Sequence, residues 1–234
     1  AEEKHVVLLD AGDIFQGTPY FNFYDGEIEF KLMNSLGYDA ATIGNHDFDG
    51  GMEALRKQVD AAKFPLVNAN YDFSDTNLTG KLPDFTIIER GEIRLGVFGL
   101  GVELDGLVPS KLYGSTQYND PVEAANRVSR MLKNDYNCSA VICLSHLGYQ
   151  YPSTKVSDSV LAGLTSDIDV IIGGHTHTFM ESPQEYRSKE GEKVIINQVG
   201  WAGIFLGRID LLFDRGKLKG YVPGLPEMVG KKAS

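Results

Sequence analysis

"TIGNHDFDGG", residues 42–51, closes an apolar run, "AATI", with four polar side chains in five positions: Asn45, His46, Asp47 and Asp49, set among Gly44, Gly50 and Gly51. Turn-forming residues at a strand end are ordinary. Three titratable groups and a carboxamide this close together become chemistry only if other segments bring similar groups to the same place.

Three other segments do. "LLDAGD" runs into Asp13, "AVICLSH" into His146, and "IDVIIGGHTH" into His175 and His177. The chain has five histidines, and only His5 lies outside these motifs. In open α/β sheets the carboxyl ends of strands line the ligand crevice, so parallel neighbours would gather the four ends. Taken singly, Asp13 reads equally as a turn or cap residue, Asn45 as a left-handed turn and His146 as a hydrogen-bonded core histidine. His175 and His177 are two apart, so a strand would put both rings on one face.

The rest of the chain supplies the frame. "EIEFKLMNSLG" reads as a helix with Ile28, Leu32 and Leu36 on one face and Gly37 at its end. Met52, Leu55 and Val59 mark a second helix. "PLVNANY" reads as a strand, and "FTIIERGEIRLGVFGLG" as a hairpin turning at Arg90-Gly91-Glu92. "DPVEAANRVSRMLKN" is a helix with Asp120 as N-cap and Pro121 in the first turn. A short helix is expected over residues 156–164, with Asp47 capping the helix that follows its own loop. The order βαβαβ, hairpin, αβαβ, β-β predicts an α/β domain with more than one sheet. Residues 1–220 are expected to form it, and 221–234, "YVPGLPEMVGKKAS", a C-terminal tail or linker.

Bulk properties narrow the function classes. With 42% hydrophobic and 23% charged residues, the 234-residue chain reads as globular and large enough for its own core. No run is long enough for a transmembrane segment. The net charge of −10 and the absence of a basic face disfavour a nucleic acid polymer as partner. Small phosphorylated substrates stay open, because bound divalent cations reverse the local field. Cys138 and Cys143, five apart, are expected on opposite faces of a strand and unbridged.

One carboxylate, three imidazoles and a carboxamide suit Zn, Mn or Fe rather than calcium. They exceed the needs of one tetrahedral ion, whereas two ions bridged by a carboxylate would use them all. Such a pair is suited to in-line displacement at phosphorus.

The ordered set "AGD", "GNHDFD", "SHLG" and "GGHTH" resembles the motifs of the calcineurin-like metallophosphoesterases. Together with "DAGDIFQGTPYFNFYDGEIEFKLMNSLGYDAATIGNHDFDGG" and "KFPLVNANYDF", it is similar to the N-terminal catalytic domain of the 5′-nucleotidase branch. The resemblance covers residues 6–213. It implies a four-layer αββα sandwich and two divalent metal ions. Asp13 would bridge them, Asn45, His146 and His175 would complete one site, and His177 would join the other. His46 would act on the phosphate and Asp49 would orient it. The implied reaction is phosphate release from nucleotides by metal-bound hydroxide. Cyclic-nucleotide phosphodiester, nucleotide-sugar or thiosulfate-ester hydrolysis are alternatives, as is a non-catalytic metal-binding scaffold. Two departures from the family's pattern stand out. No Asp-x-His occurs before Asp13 in these 234 residues, so either a further N-terminal segment supplies it or the first metal site has only Asp13 and His177. These residues also stop before the family's C-terminal substrate-binding domain. A separate domain or chain would then complete substrate binding. The likeness leans towards a periplasmic or extracellular location.

Overall fold

The computed structural model describes residues 5–17 and 19–230. Fourteen strands are assigned: β1 (Leu9–Asp10), β2 (Ala40–Ala41), β3 (Tyr71–Asp72), β4 (Phe85–Arg90), β5 (Ile93–Leu100), β6 (Gln117–Tyr118), β7 (Ala140–Ser145), β8 (Val170–Gly173), β9 (Gln184–Arg187), β10 (Lys193–Asn197), β11 (Phe205–Leu206), β12 (Ile209–Asp214), β13 (Lys217–Pro223) and β14 (Glu227–Met228). The helices are α1 (Pro19–Tyr24), α2 (Glu27–Leu36), α3 (Gly51–Ala61), α4 (Ser110–Tyr113), α5 (Pro121–Asn134) and α6 (Asp158–Leu164), with one 3₁₀ turn at His46–Phe48.

A six-stranded sheet in the order β4-β5-β7-β8-β10-β9 is the centre. Strands β5, β7, β8 and β10 are parallel, and β4 and β9 are antiparallel edges. The central strands read as unbroken apolar runs because both faces are covered. Alternation decides which side chain goes where. Along β7, Val141 and Cys143 face a core shared with Ala125, Val128 and Leu132 of α5 and Leu161 of α6. Ala140, Ile142 and Leu144 face the opposite core.

That opposite core is closed by smaller sheets. Strands β1 and β2 pair in parallel, extended by a bridge from Ala41 to Leu66. The β12–β13 hairpin contributes Ile209, Leu211, Phe213, Leu218 and Tyr221 to the same apolar layer. Helices α2 and α3 cover the far side of β2 through Phe30, Met33 and Leu55. The layering is therefore helix, sheet, sheet, helix, as the resemblance implies.

Three sequence expectations need correction. Helix α2 buries Phe30 and Met33, whereas Leu32 and Leu36 are exposed. The winning face is aromatic: Phe30 stacks on Phe64 with centroids 6.0 Å apart and meets Phe15 edge-on, and large rings outweigh leucine spacing. Cys138 precedes β7 rather than lying within it, and shares one core with Cys143, both thiols remaining free. Asp47 does not cap α3, whose N-cap position is Gly50, with no side-chain cap. The N-cap at Asp120 is as expected, its carboxylate accepting from the Val122 and Glu123 N–H groups. At the C-terminal end, residues up to Pro223 belong to β13, and β14 pairs with β11.

Candidate active site

The C-terminal ends of β1, β2, β7 and β8 meet where the two sheet layers face each other. Register aligns them: Asp10 pairs with Ala41, and Ser145 with Gly173. The loops after β1, β2 and β8 then run through Gly12, Gly44 and Gly174. A side chain on Gly44 would overlap Asp13 Oδ1 at 2.3 Å and His146 Nε2 at 2.6 Å. Only hydrogen at Gly44 lets Asp13 and His146 approach each other.

Asp13, His146 and His175 bring one donor atom each within 4.8 Å of one another. His175 Nδ1 lies 2.8 Å from Asn45 Oδ1, which adds the carboxamide to the group. His146 is fully buried, and its Nδ1–H donates to the Ala11 carbonyl at 2.7 Å. That tautomer turns the bare Nε2 lone pair towards Asp13 Oδ2, 3.0 Å away. Nε2 is buried without a hydrogen-bond partner. Two electron-rich atoms facing each other in a dry site need a proton or a cation between them. The donor set therefore fits a divalent metal of the zinc, manganese or iron kind.

Protonation follows the same geometry. Burial opposes charge on both Asp13 and His146, but their mutual attraction outweighs it: the carboxylate pKa is lowered and the imidazole pKa raised. Burial, then repulsion from His146, pushes His175 down to about 4, so its ring is neutral and a competent ligand near neutral pH.

His177 is not part of this group. Strand β8 ends at Gly173, so the expected face-sharing of His175 and His177 does not arise. Both residues instead have left-handed backbone, φ 68° and 53°. Their rings diverge: His175 meets His146 edge-on at 5.2 Å, while His177 stacks on Trp201 at 5.8 Å. His177 still lines the same cleft as Asp13, His146 and His175. The cleft, about 770 Å³, continues between the sheet layers along Leu9, Ile142, Val170 and Ile209.

His46 sits beside the donor group with its ring directed elsewhere. Its backbone N–H donates to Asp13 Oδ1 at 2.8 Å. Its Nδ1 lies 2.7 Å from Asp49 Oδ2, and Gln16 Nε2 donates to that same oxygen at 2.7 Å. The side chain is 48% exposed, and Asp49 occupies its Nδ1, leaving Nε2 as the nitrogen free to meet a ligand beside the donor group. A carboxylate on Nδ1 sets the tautomer and orientation of such a ring.

Two supporting residues escaped the sequence reading. Buried Asp47 accepts four backbone N–H bonds, from Asp13, Ile14, Phe15 and Gly44, at 2.7–3.0 Å. It ties the Asp13 loop to the Asn45–His46 loop. Burial and the nearby Asp13 push its pKa up to about 7, against the pull of the backbone donors. Gln198, 1% exposed after β10, does the equivalent for the His175 loop. Its Nε2 donates to the Gly174 carbonyl at 2.6 Å, and its Oε1 accepts from Thr178 N–H and from Thr176 Oγ1. Thr176 Oγ1 in turn accepts from Tyr149 N–H at 2.9 Å, which links the loop after His146. Only "NHD" hinted at Asp47, and nothing local marks Gln198.

Left-handed backbone at two non-glycine residues costs about 1–3 kcal/mol each and persists only where the surroundings enforce it. Gln198→Leu removes that enforcement. Metal affinity is expected to fall by about 10–100-fold, as for other residues that orient ligands. Competition against a chromophoric chelator measures it; unchanged affinity would show that the loop holds itself.

Imidazoles and a carboxylate at the strand ends of two facing sheets, with a His–Asp couple alongside, are the donor set of a candidate metal centre. The chain belongs to the calcineurin-like phosphoesterases, whose sequence profile matches residues 1–179. It is similar to proteins named as nucleotide phosphoesterases and 5′-nucleotidases. A trifunctional nucleotide phosphoesterase of Bacillus subtilis is 33% identical over 92% of this chain and 16% of its own length. The 5′-nucleotidase of Vibrio cholerae is 32% identical over 93% of this chain and 43% of its own. The crystal structure of a 5′-nucleotidase precursor from Thermus thermophilus superposes with a TM-score of 0.85 at 31% identity, covering 97% of this chain and 46% of that one. The chain thus spans less than half the length of each of these relatives. Among the described residues no helix is long and apolar enough to cross a membrane.

Proposed function

We propose that this chain hydrolyses phosphate esters of nucleotides at a site holding two divalent ions. The observation that carries the reading is the convergence of Asp13, Asn45, His146 and His175 beside the His46–Asp49 couple. Asp13, Asn45, His146 and His175 would hold one ion. Asp13 and His177 would reach towards the second. Bound there, divalent cations supply electrophilic stabilisation of phosphate oxygens and lower the pKa of water.

The chain's own residues do the rest. His46 Nε2 meets the phosphate or the leaving oxygen, donating a hydrogen bond as negative charge grows. Asp49 holds the proton on Nδ1, and Gln16 holds Asp49. No serine or cysteine stands among the site residues as a nucleophile, so transfer goes directly to water. The relatives' names, 5′-nucleotidase and nucleotide phosphoesterase, support a nucleotide as substrate. Likeness to a snake venom 5′-nucleotidase, 32% identical over 92% of this chain, supports action outside the cytoplasm.

Purified protein supplied with manganese or zinc is expected to release phosphate from AMP and from p-nitrophenyl phosphate. Elemental analysis with intact mass on the same sample is expected to give about two ions per chain, the stoichiometry of a bridged pair. Metal-replete protein that leaves both esters intact would favour the scaffold reading.

A further inference from the structure

His146 and His175 leave the ends of two neighbouring parallel strands, and one carboxyl group lies against both ends. Asp158, the first residue of α6, is fully buried, as is Ser145 at the end of β7. Ser145 Oγ donates to Asp158 Oδ1 at 2.5 Å and accepts from the Leu147 N–H at 3.3 Å. The hydroxyl thereby ties the residues on either side of His146 to each other and to α6. The Asp158 backbone fastens the same loop again, its N–H donating to the Gly148 carbonyl at 2.8 Å.

The second carboxyl oxygen reaches the other strand. Oδ2 lies against Gly173, where a Cβ would stand 2.2 Å from it. Only glycine leaves room for the carboxyl group at this point, two residues before His175. Ser145 and Gly173 are register partners of β7 and β8. Asp158 therefore meets both strands on the last rung before the two histidines depart.

Asp158 Oδ2 is buried without a hydrogen-bond partner. A charged carboxylate with a bare oxygen is disfavoured in such a place, whereas the neutral acid is tolerated. Burial accordingly pushes its pKa up to about 8, against the Ser145 hydrogen bond and the pull of His146. At neutral pH the group is an uncharged acid, close in shape and polarity to asparagine.

We infer that Asp158 is a positioning residue of the metal centre, setting the spacing of His146 and His175 by holding Ser145 and abutting Gly173. The inference rests on the reading of Asp13, Asn45, His146 and His175 as one ion's ligands, and not on the identity of the ester.

The test is zinc affinity of the full chain at neutral pH, by competition against a chromophoric chelator, with circular dichroism to confirm folding. Asp158→Ala should bind zinc about 10–100-fold more weakly, as for other residues that orient ligands. Asp158→Asn should stay close to wild type, because it keeps the shape and the acceptor for Ser145. Ser145→Ala, which removes the tie and leaves the carboxyl group in place, should weaken zinc binding in the same direction. Combined with Asp158→Ala it should add no further loss, since both cut one connection. Wild-type affinity in folded Asp158→Ala or in Ser145→Ala overturns the inference. So does a loss in Asp158→Asn equal to that in Asp158→Ala, or additive losses in the double variant. Should Asp158→Ala fail to fold, Asp158→Asn and Ser145→Ala decide between them. None of these readouts needs turnover, so they decide the role of Asp158 even where the hydrolase reading fails.

Discussion

His46→Asn is expected to lower kcat by about 10²–10⁴-fold, the range for loss of a general acid–base group, while metal content stays at the wild-type value. The two halves of this expectation come from separate contacts. The backbone N–H of residue 46 donates to Asp13 Oδ1, and asparagine retains it. The ring contacts Asp49 and lies outside the donor group of Asp13, His146 and His175. The substitution therefore removes a proton-carrying ring from beside the donor group without removing a ligand. Asp49→Asn should act in the same direction with a smaller loss, because the ring survives but its orientation and tautomer are no longer enforced. Steady-state kinetics with elemental analysis on the same preparations checks both. Loss of metal in His46→Asn would mean that the ring is a ligand and that its catalytic role is misassigned.

The second large effect is on stability. Asp47→Ala strands four backbone donors in one step, those of Phe15 and Gly44 buried and those of Asp13 and Ile14 half-buried. Each unsatisfied buried group costs roughly 1–3 kcal/mol, with relaxation and water entry reducing the sum. A net loss on the order of 4 kcal/mol follows, comparable with breaking a buried ion pair. At about 2–4 °C per kcal/mol for a domain of this size, Tm should drop by roughly 10 °C. Asp47→Asn separates the contributions. One oxygen of Asp47 serves Ile14 and Phe15, the other Asp13 and Gly44. The amide keeps one pair satisfied and sets its own N–H groups against the other, so about half the loss is expected. Because the Asp13 loop is the segment released, chelator competition should show weakened metal binding in both variants. Thermal unfolding that leaves Tm within a degree or two of wild type would show that water replaces Asp47 at little cost.

The candidate site residues stand out in the sequence because they interrupt the apolar periodicity. Asp13, Asn45, His46, His146, His175 and His177 all follow β-rich runs, and four parallel strand ends meeting is a consequence of the alternation of strands and helices. An α/β domain with more than one sheet was legible for the same reason, whereas the four-layer sandwich was implied by the family resemblance. Burial on both faces makes β5, β7, β8 and β10 continuous apolar runs, whose odd and even residues feed two different cores.

Other features depend on contacts that no local pattern encodes. The buried face of α2 was chosen by Phe15 and Phe64, distant in sequence from Phe30. Asp47 serves a loop 32–34 residues earlier, and Gln198 a loop 20–24 residues earlier. His175 and His177 separate because their backbone leaves the strand and turns left-handed, which spacing of two in a β-like sequence does not announce. Residue type and strand period determined which groups could be ligands and at which ends they would sit. Only the tertiary structure decided which of them face one another, because loops after strand ends take their shape from side chains elsewhere in the chain, here the carboxylate of Asp47 and the carboxamide of Gln198.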